Sequence, residues 1–286
     1  MPCAKLNYLC AGQMITIAFR KTGSISYRSG LFLKTSILQV MKILVCISKT
    51  PDTTAKIAFT DNNTKFAQDG VQWIINPYDE WYALVRAVEL KEKDPSTIIH
   101  LLSVGGADAE PIIRKALALG GDEAIRVNTD SADSYYIAAQ IAAIAKDGYD
   151  LILTGKETID YNGSSIGGMV AEFLDCAYVS LATKLDLNGT EVTLNREIEG
   201  GEETCTAPLP LVVSCQKGMA EQRIPNMKGI MGARTKPLKV VEPAAADSLT
   251  GIVSFELPPA KAGVKLVSPD NPAELVKLLH EEAKVI

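Results

Sequence analysis

From Met41 onward, short apolar runs rich in β-branched residues alternate with longer segments of helical period, and few architectures accommodate that alternation. In order the segments are KILVCIS, NPYDEWYALVRAVELKEK, STIIHLLSV, ADAEPIIRKALAL, DEAIRV, SADSYYIAAQIAAIAKD, DLILTG and SSIGGMVAEFLD. A strand that is apolar on both faces needs cover on both. The pattern therefore predicts an α/β fold: an open, mostly parallel sheet with helices on both faces. In the first helical segment Trp81, Leu84, Val85, Val88 and Leu90 keep a mostly helical spacing. Asn76 is predicted as its N-cap and Pro77 as its first helical residue.

After Asp175 the rhythm changes to VSLATKLDLNGTEVTLNREIEGGEETCTAPLPLVVSC, with turn signals at Asn188-Gly189 and Gly200-Gly201. These runs read as antiparallel strands that extend the sheet. From about Gln216 little is regular until PAELVKLLHEEAKV, where Leu275, Leu278 and Leu279 mark a short amphipathic helix. We divide the body into an α/β domain, residues 41–237, and a C-terminal extension, residues 238–286, long enough to embrace a partner subunit. Residues 1–40 show no clear period and are excluded from the fold, with poor packing expected. They carry five basic and no acidic residues, which suits either an organelle transit peptide or a translated upstream region before a true start at Met41. The second reading is preferred, because the apolar residues do not gather on one helical face.

The net charge of -5 conceals this split: removing the five basic residues of the leader from 29 leaves 24 against 34 acidic ones, about -10 for the body. Such an acidic body argues against nucleic-acid binding as the main task. The six cysteines form no CxxC pair and only His100 and His280 are present, so no metal spacing arises and a reducing compartment is expected. No apolar run reaches the roughly eighteen residues of a membrane span, so a soluble chain is expected.

In open parallel sheets ligands sit at the carboxyl ends of the strands. Three loops fall on that edge: the end of the first strand around Cys46 and Ser48, the segment Ser103 to Asp108 (SVGGAD), and GKETIDYNGSSIGG from residue 155. Helix N-H groups after Gly163, with Ser164 and Ser165 as further donors, suit a phosphate. The glycines at 163, 167 and 168 permit close approach of backbone to ligand. The loop is neither a Walker A sequence nor a GxGxxG fingerprint, and taken singly it reads better as a helix cap; three such loops on one edge favour a ligand site. Asp160 is either a ligand contact or a turn former. Cys46 has no histidine near it in sequence, and His100 inside an apolar strand reads as a satisfied core residue. No triad, metal cluster or carboxylate pair is legible, so no bond-breaking active site is expected.

Taken together, MKILVCISKTPD, INPYDEWYALVRAVELKE, ALALGGDEAIRV, GKETID, NREIEGGEE, PLPLVVSC, NMKGIMGARTKPL and PPAKAGVK resemble the β subunit of electron transfer flavoprotein, from Met41 nearly to the C-terminus. The resemblance implies a Rossmann-like, adenine-nucleotide-binding subunit paired with an α subunit. The heterodimer would carry electrons from acyl-CoA and related flavoprotein dehydrogenases to a quinone oxidoreductase. FAD would be bound chiefly by the α subunit, and a structural AMP by this one. Carried over by position, the nucleotide contacts are Cys46; Asn76, Pro77, Tyr78 and Asp79; Val104; and Gly155, Lys156, Glu157, Thr158, Ile159, Asp160, Tyr161, Asn162, Gly163, Ser164, Ser165 and Ile166. The resemblance also makes Glu197 an acid that governs movement of the α subunit's flavin domain. It makes residues 223–231 a dehydrogenase-recognition segment, with Arg223, Met227, Ile230 and Met231 as contacts. An exposed Met227 would fill a hydrophobic pocket of the partner. After GKxxID this chain has YNGSSI, lacking a carboxylate and a glutamine usual there. The resemblance implies a cytoplasmic location in a bacterium, or the mitochondrial matrix if the leader is a transit peptide. Two other readings stand beside it. One is a bifurcating complex whose β subunit holds a second FAD and oxidises NADH; the other is a stand-alone adenine-nucleotide sensor of the universal-stress type.

Overall fold

The computed structural model describes residues 5–10, 13–18, 40–259 and 263–286. Strands β1 (Lys5–Cys10) and β2 (Gln13–Ala18) pair with each other in a separate two-stranded sheet. The packing expected of the rest of the leader lies outside the described residues. The body then runs β3 (Lys42–Cys46), β4 (Lys49–Pro51), β5 (Phe59–Thr60), β6 (Lys65–Phe66), β7 (Trp73–Ile75), α1 (Glu80–Lys93), β8 (Ile98–Val104), α2 (Glu110–Leu119), β9 (Glu123–Val127), α3 (Ser134–Ala145), β10 (Leu151–Gly155) and α4 (Ile166–Leu174). It continues through β11 (Ala177–Asn188), β12 (Glu191–Ile198), β13 (Gly201–Pro208), β14 (Leu211–Cys215), α5 (Met227–Ala233), β15 (Leu238–Val241) and α6 (Pro272–Lys277).

The expected architecture is present. Nine strands form one sheet in the order β13-β12-β11-β14-β10-β3-β8-β9-β15, parallel from β11 to β15, with β12 and β13 added antiparallel at the other edge. Strand alternation divides the core. Ile43 and Val45 join Ile99, Leu101, Leu151 and Leu153 under α1 and α2, while Leu44, Cys46, Leu102, Ile152 and Val212 join the residues of α3 and α4. Full burial of strand centres on both faces is why these segments are solidly apolar in sequence. His100 is half-buried on β8, with Nδ1 2.7 Å from the Tyr149 hydroxyl, as a satisfied residue should be.

Three local expectations need correction. Strand β14, read as antiparallel, inserts parallel between β10 and β11. The long connection through β12 and β13 returns the chain to that slot, which local pattern does not encode. Helix α1 begins at Glu80 with Asp79 at its N-cap, not at Pro77 behind Asn76. The amide of Asn76 is drawn instead into bonds with a loop some eighty residues away. Finally, the segment after Gln216 contains α5, and β15 pairs with β9 at the sheet edge, so the first residues of the assigned extension belong to the sheet.

Candidate functional site

The chain leaves β3 toward β8 and β9 on one side, then crosses back to β10 on the other, so the loops after β3 and β10 diverge and leave a crevice at their carboxyl ends. That is the position at which open α/β sheets hold ligands. Three of the sequence segments singled out meet there, Cys46 and Ser48 after β3, Asn76 to Asp79 before α1 and the loop from Gly155 to Ile166, while Val104 ends β8, the next strand over.

Buried polar side chains build this crevice. Asn76 is wholly buried; its Nδ2 donates to the Glu157 carbonyl at 2.7 Å and its Oδ1 accepts from the Ile159 amide at 3.3 Å. One side chain thus satisfies both polarities of the β10–α4 loop. Asp79 accepts from the Glu157 amide at 3.1 Å; burial raises its pKa, and that bond works in the opposite direction. Pro77 shares this turn, and Tyr78 stands exposed at its rim. Glu80 is buried and accepts from the Ser48 amide at 2.6 Å and from Ser48 Oγ at 2.7 and 2.9 Å. Burial raises its pKa to about 8 despite those Ser48 bonds, with Asp160 and Asp79 adding to the rise. Sequence reading missed Glu80, since a glutamate in a first helical turn is an ordinary surface feature.

Within the loop, the Lys156 amide donates to the Cys215 carbonyl at 2.9 Å and Lys156 Nζ lies 2.9 Å from Glu157, a contact that raises the lysine pKa and lowers the glutamate's. Ser164 Oγ donates to Glu157 at 3.1 Å, and the Asn162 amide to the Thr158 carbonyl at 2.9 Å. Asn162 and Ser164 are left-handed, at φ 50° each, and Asp160, Tyr161, Asn162, Gly163 and Ser164 are exposed. The loop is therefore closed on itself with its tip facing outward. Gly155 sits where a Cβ would press on Asp79 and Glu80, and Gly167 where one would press on Thr154 and Tyr178.

Ser165 stands at the N-cap of α4 but makes no capping bond, and the first turn contains no acidic residue. The opening amides of that helix, from Ile166, Gly167 and Gly168, have no intrahelical acceptors by helix geometry. The dipole and these amides, with the uncommitted Ser165 hydroxyl at the N-cap, form a place for an anion, while the Ser164 hydroxyl is given to Glu157. This donor set fits the phosphate of a nucleotide. Cys46, buried at the end of β3, has its thiol pKa raised by burial and then by Glu80, so it contributes packing rather than a nucleophile.

A depression of about 550 Å³ adjoins the loop, lined by Tyr78, Asp79, Lys156, Glu157, Ile159, Asn162, Glu197, Gln216 and Lys217. Glu197, exposed on β12, accepts from Gln216 Nε2 at 2.6 Å, so this acid borders the same crevice. Gln216 and Lys217 carried no signal in sequence beyond following a strand. A larger depression of about 640 Å³, around Met41, Asp94 and Asn188, lies at the opposite end of the sheet, away from these groups.

Residues 223–231 occupy a different surface. Arg223 binds Glu92 at 2.7 Å and Glu89 at 3.6 Å, and its carbonyl accepts from Trp81 Nε1 at 3.2 Å. Asn226 caps α5 by accepting from the Gly229 amide at 2.8 Å, and a Cβ on Gly229 would run into the Ala118 carbonyl, so α5 lies tight against α2. Met227 (71% exposed), Met231 (67%) and Ile230 (42%) on α5, with Ile224 (87%) in the segment before it, leave apolar side chains exposed. Met227 is thus exposed, as its place in the segment suggested.

A family model described as the electron transfer flavoprotein domain matches residues 63–246. A protein of Bacillus subtilis named electron transfer flavoprotein subunit beta is 40% identical over 262 residues, covering 86% of this chain and 100% of its own. Its namesake in Syntrophomonas wolfei is 41% identical over 229 residues, 79% of this chain and 90% of that one. The human protein of the same name is 33% identical over 256 residues, 86% and 99% of the two chains.

Proposed function

The chain belongs to the electron transfer flavoproteins as a β subunit, and on that premise we propose that it pairs with an α subunit and holds a structural AMP at the β3–β10 crevice. The uncapped α4 N-terminus, with Ser165 and free first-turn amides beside a preformed loop, carries the nucleotide assignment. Cys46, Val104 and the Asn76–Asp79 turn wall the other side, while the Asn76 amide shapes the loop and leaves little of itself for a ligand. FAD belongs to the complex and is held chiefly by the α subunit, where it supplies the redox chemistry. This subunit contributes scaffold, nucleotide site and docking surface, with no bond-breaking centre of its own. Electrons come from acyl-CoA and related dehydrogenases, which dock on residues 223–231, and leave to a quinone-linked acceptor. Residues 41–241 form the core domain, and the later part of the tail reaches the α subunit.

Denaturing the purified heterodimer and identifying the released nucleotides tests the assignment. One FAD and one AMP per heterodimer are expected. FAD without adenylate overturns the AMP site, and two flavins with NADH-dependent reduction overturn it in favour of a bifurcating complex.

A further inference from the structure

The tail between β15 and α6 does not leave the domain after its strand. The Asn128 amide donates to the Val241 carbonyl at 2.9 Å. The Gln140 side chain then grips Ala244 at both backbone groups, Nε2 to the carbonyl at 3.0 Å and Oε1 from the amide at 2.7 Å. Next comes Asp133, 4% exposed at the N-terminus of α3. Its carboxylate accepts from the Leu249 amide at 2.6 Å, Thr250 Oγ1 at 2.9 Å and Ser248 Oγ at 3.2 Å, besides capping α3 through the Tyr135 amide at 3.2 Å. Farther on, Phe255 stacks on Phe59 with centroids 4.8 Å apart, and its amide donates to the Asn63 carbonyl at 2.7 Å.

These anchors lie on opposite faces of the sheet. Asp133 belongs to the α3 side, next to the nucleotide loop, since Ser134 Oγ is 3.6 Å from where a Cβ of Gly163 would stand. The β5–β6 hairpin belongs to the β3–α1 connection: Phe66 meets Trp73 edge-on, Lys49 lies 4.0 Å over the Trp73 ring, and Lys49 pairs with Asp108 beyond β8. The residues between Thr250 and Phe255 span at most about 17 Å when extended, a little over three strand spacings of about 4.8 Å. Two anchors five residues apart therefore leave little slack in the segment between them.

We propose that Asp133 is a positioning residue of the nucleotide site: it clamps Ser248–Thr250 so that the tail crosses the carboxyl edge as a strap, pinned at its far end by Phe255, and retains a nucleotide in the crevice. The proposal rests on the nucleotide assignment above. Its clamp is separable from the helix cap, because Ser248 and Thr250 donate only on the tail side.

The experiment uses the full heterodimer carrying Ser248→Ala with Thr250→Val, which leaves the Tyr135 cap intact, and a second variant, Phe255→Ala, which frees the far anchor. Bound radiolabelled AMP is chased with unlabelled AMP, and amide exchange is followed over residues 246–256. Both variants are expected to release AMP at least about tenfold faster, with exchange of the strap accelerated and α3 unchanged. Strap exchange that rises while AMP release stays within twofold of the unsubstituted protein overturns the strap alone. An unsubstituted heterodimer that retains no AMP overturns the nucleotide assignment and the strap with it.

Discussion

Glu80 shows how one buried side chain can set a pH dependence. Its carboxyl lies under the crevice, where burial, with Asp160 and Asp79 nearby, moves the pKa from 4.5 to about 8, and the Ser48 amide and hydroxyl only partly oppose the shift. Between those values the native state holds a proton that the unfolded chain has released, so this group makes stability fall as pH rises from about 4.5 to about 8. Below the window both states are protonated and there is no penalty; above it the full penalty applies. The slope from one such group is at most about 1.4 kcal/mol per pH unit. Glu80→Gln keeps an acceptor for the Ser48 amide and a donor for its hydroxyl while removing the charge. Urea unfolding at pH 5 and at pH 8.5 should show the variant gaining on the parent at the higher value. An equal effect at both pH values would place the ionisation of Glu80 outside the fold's energetics. Asp133 runs the other way: burial raises its pKa, but the bonds from Leu249, Thr250, Tyr135 and Ser248 outweigh that and leave it at about 2. Its contribution is present at neutral pH and is lost only as pH falls toward that value.

Among the elements, those with cover on both faces were readable and those fixed by distant partners were not. The runs KILVC, IIHLLSV and LILTG become β3, β8 and β10, because strands buried on both sides leave no room for polar alternation. The hairpin turns at Asn188-Gly189 and Gly200-Gly201 lie where the dipeptides placed them, with Gly189 and Gly200 at φ 70° and 82°. The short β15, LKVV, carries too little pattern to stand out, and its strand identity comes from the β9 edge that it completes. The start of α1 departs from the local signal because Asn76 obeys a tertiary demand stronger than the local one. Its amide joins the turn before α1 to the loop before α4, and without it the Glu157 carbonyl and Ile159 amide lose a buried partner. Asn76→Ala should therefore destabilise the domain by about 1–3 kcal/mol, the usual cost of a buried polar group left unpaired. Thermal unfolding should show the loss, and amide exchange should locate it at residues 157–160. Unchanged exchange there would mean that the loop holds its shape without Asn76. The candidate site was legible at the level of segments for the same reason: glycines and hydroxyls at strand ends reveal an edge, but Glu80, Gln216 and Lys217 gain significance only when the chain folds back upon them.

Across the whole molecule, two surfaces share one helix. Glu80 at the start of α1 holds Ser48 beneath the crevice, and the next residue, Trp81, donates to the Arg223 carbonyl and so fixes the base of the exposed segment before α5. The crevice is rimmed by charge, whereas α5 offers bare apolar side chains with Arg223 already occupied by Glu89 and Glu92. Flexible, exposed methionines at Met227 and Met231 beside Ile224 and Ile230 suit a hydrophobic socket of a partner protein. Because Met227 is 71% exposed, its truncation creates little cavity and should leave folding, nucleotide content and assembly with the α subunit unaltered. A central anchor at an interface contributes about 1–2 kcal/mol or more, so Met227→Ala should slow electron transfer from an acyl-CoA dehydrogenase by about tenfold at subsaturating concentration. The defect should disappear as the concentration of the heterodimer rises, since the redox centre itself is untouched. Stopped-flow reduction by the dehydrogenase, run beside nucleotide analysis of the same preparation, separates the outcomes: a loss that persists at saturation, or a loss of bound adenylate, would tie Met227 to the fold or the redox step and not to docking.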